Sequence, residues 1–97
     1  MYERAPEMNG MVVTRVKLRD LRRDYFLARS DGGRELLMEP YCWCGSALEQ
    51  DYFCAECDHE CRVTLIACAD PGALSIAQAL VRMNADFHDF EAATLGA

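Results

Sequence analysis

Five of the six cysteines fall within twenty residues, Cys42 to Cys61, spaced as C-x-C, nine residues, then C-x-x-C-x-x-x-C. Two close thiol pairs on tight turns, joined by a segment short enough for a hairpin, are what a tetrahedral thiolate site needs, each pair gripping the ion from one side. The spacing selects Cys42, Cys44, Cys54 and Cys57 as ligands. Cys61 is a possible substitute for Cys42 or Cys44, with His59 and Cys68 behind it. Gly45 directly after Cys44 suits a turn that needs a positive φ.

The chain needs such a staple. Its 97 residues make one small domain, and a chain of that size buries only about 60–70% of its unfolded surface. A structural zinc contributes on the order of 10–16 kcal/mol, as much as the roughly 5–15 kcal/mol stability of a whole domain. The metal-free chain is therefore expected to be loose or locally unfolded.

An even number of cysteines also permits a secreted disulfide framework. Against it, residues 1–10 contain no apolar run that would serve as a signal peptide. No stretch approaches the roughly 20 apolar residues that span a bilayer. The expectation is a cytoplasmic protein, where thiols stay reduced and clustered cysteines bind metal.

Before the cysteines, residues 1–10 show no period and read as a mobile arm. From Met11 to Arg19, Val12, Thr14, Val16 and Leu18 alternate with Val13, Arg15, Lys17 and Arg19, the pattern of a half-buried strand. A second strand at Tyr25–Arg29, the turn Ser30-Asp31-Gly32-Gly33, and a third strand ending at Pro40 complete a meander over 11–39. Residues 22–29 also have fair helix propensity. Beyond the cysteines, Arg62–Cys68 is apolar and β-branched and reads as a buried strand. Asp70-Pro71 then gives an N-cap and a proline at the first helical position. Ala73, Ile76, Leu80, Met83, Phe87 and Phe90 continue as an apolar helical stripe over 70–90, with a break near Asn84.

Over residues 40–68 the chain resembles the zinc-ribbon family: a cysteine-rich turn followed by glycine (Cys42-Trp43-Cys44-Gly45), a hairpin, a second knuckle preceded by an aromatic (Phe53-Cys54-Ala55-Glu56-Cys57), then a strand. It departs in having C-x-C where the family's first knuckle is C-x-x-C, so Cys61 stays open as a ligand. The resemblance implies one structural zinc and a role in binding protein or nucleic acid. Iron is the alternative ion, since four thiolates also hold it, although the spacing matches neither ferredoxin run nor the six-cysteine binuclear zinc pattern.

The fold expected is thus α+β in one domain: a small antiparallel β-sheet, a zinc-ribbon-like metal-knuckle module and a C-terminal helical segment. No metalloprotease, nucleophile-elbow, phosphate-loop or dinucleotide motif is present, so no enzymatic activity is expected. His59, between Asp58 and Glu60, and His88 read as solvated residues. The net charge of −6 is uneven: residues 41–97 carry Arg62 and Arg82 against nine acids, whereas residues 1–40 carry eight bases against seven acids. The first function expected is a non-enzymatic module that binds a protein partner or forms a homo-oligomer through its acidic half. The second is a nucleic-acid-binding ribbon that uses Arg15, Lys17, Arg19, Arg22 and Arg23 as a line of positive charge, with Trp43, Tyr52 and Phe53 as stacking surface. The third is a metal- or redox-responsive regulator that uses the spare thiol of Cys61.

Overall fold

The computed structural model describes residues 10–32 and 34–96; the arm expected over 1–10 lies outside them except for Gly10. The fold is α+β. Seven strands and two helices run in the order β1 (Val12–Val13), α1 (Arg15–Asp20), β2 (Tyr25–Asp31), β3 (Glu35–Tyr41), β4 (Phe53–Cys54), β5 (His59–Glu60), β6 (Leu65–Cys68), α2 (Pro71–Met83) and β7 (Glu91–Leu95).

The main sheet is mixed rather than antiparallel. Its order is β1-β7-β6-β2-β3; only β2 and β3 pair antiparallel, and β1–β7, β7–β6 and β6–β2 are parallel. The β2–β3 hairpin is the one expected from the glycine turn, and Gly32 takes a positive φ of 60°. Every residue of β6 is buried, as a strand covered on both faces must be. On one face Phe26, Ile66 and Ala92 stand side by side and pack with Ala73 and Ala77 of α2. On the other, Leu65, Ala67 and Ala93 pack with Tyr25, Val13 and Leu18 of α1.

The strand expected over Met11–Arg19 is corrected. Pairing stops at Val13, because Thr14 caps a helix: its hydroxyl accepts the Lys17 N–H at 3.1 Å. Alternation over so few residues fits a short helix as well, since Thr14 and Leu18 are one turn apart. The helix ends in a Schellman motif, with Arg23 N–H bonding Leu18 C=O at 2.8 Å and Arg22 N–H bonding Arg19 C=O at 3.1 Å. Arg22 fills the left-handed position of that motif, φ 52°, where glycine is the usual residue.

Strand β7 had no sequence expectation, because Glu91-Ala-Ala-Thr-Leu95 has little strand propensity; its alanines are chosen by space. The helix cap at Asp70 forms as expected, as does the break at Asn84, where the chain leaves α2. The buried face of α2 is turned from the expected stripe, however. Ala73 and Ala77 are buried with Leu74 and Val81 against them, while Met83 is 82% exposed. Small residues on helix and sheet let the two backbones approach, and that outweighs the hydropathy of Met83.

Asp70 also joins α2 to β2. Its carboxylate accepts the Ala73 N–H at 2.7 Å, the Ser30 hydroxyl at 2.7 Å and the Ser30 N–H at 3.0 Å. The Ser30 hydroxyl, then the backbone N–H donors, hold its pKa below the ordinary 3.8. A depressed carboxylate stabilises the fold above its unfolded pKa, and that contribution is lost as pH falls through the folded value. Asp70→Ala is expected to lower the thermal midpoint by about 5 °C at neutral pH, with a difference from wild type that shrinks below about pH 4. Arg22→Gly is expected to raise stability in urea by about 0.5–1 kcal/mol by relieving the left-handed backbone.

Candidate metal centre

Strands β3 and β6 lie on opposite sides of β2, so residues 42–64 must cross the end of the sheet. This crossover carries the cysteines. The first turn, Cys42–Ser46, closes with Gly45 N–H on Cys42 C=O at 2.9 Å and Cys42 N–H on Ser46 C=O at 3.0 Å. The second, Cys54–Cys57, is flanked by the two-residue strands β4 and β5, and Cys57 N–H points at Cys54 Sγ at 3.4 Å. A residue of positive φ directly follows the second cysteine of each pair, Gly45 at φ 95° and Asp58 at φ 54°.

The four sulfurs converge. Cys42, Cys44, Cys54 and Cys57 place their Sγ atoms within 4.8 Å of one another. Cys42–Cys57 and Cys44–Cys54 are each 3.7 Å apart. A disulfide requires about 2.05 Å, and all six cysteines are free. Tetrahedral coordination with metal–sulfur bonds of about 2.3 Å puts the sulfurs about 3.8 Å apart. The cluster could therefore hold one metal ion.

The thiols differ in acidity. Cys44, the exposed one, is lowered to about 6, first by the Ser46 hydroxyl, whose oxygen lies 3.3 Å from its sulfur. Burial pushes Cys42 up. Cys57 rises to about 11, its hydrogen bond with Cys44 acting first. Cys61 and Cys68 are each pushed up to about 11 by burial. Metal ligation requires thiolates, so Cys44 supplies the first negative charge.

Cys61 is 7% exposed and faces His59, its Sγ 3.3 Å from Nε2. A buried, raised thiol does not fit the reactive role expected of it. His59 is not a solvated turn residue either: it stacks on Trp43 with ring centroids 4.2 Å apart, which takes that indole into the site.

Sequence reasoning missed Asp24, which falls between the two stretches read there as strands, Met11–Arg19 and Tyr25–Arg29. It is 6% exposed, and its two oxygens accept Trp43 N–H and Arg62 N–H, each at 3.0 Å. One carboxylate thus ties the first turn to the exit of the second. No signal in Arg22-Arg23-Asp24 separates it from a solvated acid.

The expected line of positive charge does not form. Arg15, Lys17 and Arg19 lie on α1, where a two-residue step turns through about 200°, so Lys17 faces away from Arg15 and Arg19. Arg23 turns inward, donating to Glu91 Oε1 at 3.1 Å and Thr64 Oγ1 at 3.2 Å. Arg15 and Arg19 instead line a small hollow with Trp43, Cys44 and Gly45, beside a cluster that is negative when its thiols ionise.

No helix among the described residues is long and apolar enough to cross a membrane. Comparison of the chain with protein families, curated proteins and solved structures gave no match.

In metal-free, reduced protein at pH 7, Cys44 is expected to be alkylated before the other five thiols. Its rate should fall as pH drops through about 6, and Ser46→Ala should move that midpoint upward. Peptide mapping after brief iodoacetamide treatment reads both effects.

Proposed function

We propose that the protein is a non-enzymatic interaction module in which one structural zinc fixes the two turns, and that its partner is a protein segment with apolar side chains flanked by basic ones. The 3.7 Å sulfur–sulfur contacts carry the metal reading. Zinc is favoured over iron because a closed four-thiolate site with no open position is its usual structural form.

Support for the partner comes from an open groove of about 620 Å³ beside the turns, lined by Phe26, Met38, Leu48, Tyr52, Phe87 and Phe90 among others. Leu48 and Tyr52 belong to the loop between Cys44 and Cys54, so a bound ion would set one wall of the groove. Exposed Glu49 and Asp86 also line it. A concave apolar surface with acids around it suits a segment whose apolar anchors enter and whose Lys or Arg side chains meet those acids.

Freshly purified protein is expected to carry zinc without visible absorbance, with Cys42, Cys44, Cys54 and Cys57 protected until a chelator is added; iron, or no metal, defeats the zinc reading. Selection from a displayed ten-residue peptide library is expected to enrich aliphatic or aromatic residues flanked by Lys or Arg. Asp86→Lys should weaken the selected peptides about fivefold, and chelation should abolish binding. Enrichment without basic residues, or binding indifferent to chelator, defeats the groove reading, and concentration-dependent dimers blocked by Leu48→Asp would make a second copy the occupant.

A further inference from the structure

We propose that a second metal ion binds beside the first, held by Asp24, His59 and Cys61, with the Cys42 thiolate shared between the two ions. This rests on the four-thiolate reading above, because Cys42 belongs to both sets. The ligand atoms of Asp24, Cys42, His59 and Cys61 all lie within 4.8 Å of one another. Nε2 of His59 is 3.3 Å from Cys61 Sγ and 3.8 Å from Asp24 Oδ2. Metal bonds of about 2.0–2.3 Å in a tetrahedral site put such ligand atoms about 3.3–3.8 Å apart.

Each group is already oriented. The Asp24 oxygens accept the Trp43 and Arg62 N–H groups. An ionised carboxylate has about four lone-pair sites, so coordination through Oδ2 leaves both bonds in place, as supporting hydrogen bonds around a metal usually are. The Trp43 ring fixes the His59 plane. Nε2 is the ring atom of His59 that faces both Cys61 Sγ and Asp24 Oδ2.

The charge balance points the same way. Asp24 is buried, and among the described residues its ion-pair partner is His59 alone. A buried carboxylate held by two backbone N–H groups beside two thiols is a site that favours a cation. A dication among Asp24, Cys42 and Cys61 supplies it, and the Cys61 thiol gives its proton to solvent on ligation. Two thiolates, an imidazole and a carboxylate suit zinc or a similar transition metal rather than magnesium or calcium.

The test is zinc titration of the reduced, metal-stripped full chain without oxygen, with stoichiometry read by native mass spectrometry and elemental analysis. Wild type is expected to saturate at two zinc ions per chain, and His59→Gln and Cys61→Ser at one, with the four thiols of the first site still protected from alkylation. His59 sits half-buried on the short strand β5, so its variant stands if loss of the Cys61 thiol disturbs folding, and the wild-type stoichiometry depends on neither variant. Saturation of wild type at one zinc overturns the second site and leaves the first standing, whereas no zinc at all removes both. Two ions retained in both variants overturn the ligand assignment.

Discussion

The crossover from β3 to β6 has almost no regular structure with which to hold itself. Over residues 42–64 it has two strands of two residues each, and a connection of that length inside a compact domain needs another source of order. That source is the convergence of four sulfurs, helped by the Asp24 carboxylate between the two turns. The loop's apolar residues, Leu48 and Val63, join the same buried cluster as Cys42, Cys54 and Cys61. Cys42 and Cys54 are thus part of the core as well as members of a cluster that could hold a metal ion.

Placement of charge follows from this. Arg15 and Arg19 stand on α1 beside the Cys44 turn, not on a basic strand facing solvent. Thr14 turns the chain into a helix at the point where those side chains come beside the Cys44 turn. Of the acids in the second half, Glu49 and Asp86 line the groove, whereas Glu91 pairs with Arg23 and Asp70 caps α2.

The convergence of Cys42, Cys44, Cys54 and Cys57 was legible because their spacing suits a tetrahedral thiolate cluster, and Asp70-Pro71 and the glycine turn because each has a local stereochemical cause. The α+β class followed from those pieces. Sheet order did not: parallel pairing of β2, β6 and β7 is decided by contacts far apart in sequence, and Glu91–Leu95 forms a strand whose Ala92 packs on the α2 side and whose Ala93 packs on the α1 side. Alternation over Met11–Arg19 misled because nine residues suit either period, and one hydroxyl settles the choice. Asp24 was illegible for the same reason as β7, since its burial depends on Trp43 and Arg62 arriving from elsewhere.

Three consecutive residues at the entry to β2, Asp24 and the first two of the strand, face three different environments. Asp24 grips the turns, Tyr25 enters the core under α1, and Phe26 enters the core under α2. Among the described residues the cysteine-rich crossover is therefore no separate appendage: the three residues that meet it also belong to both hydrophobic layers of the sheet, so the crossover and the two layers share one stretch of backbone.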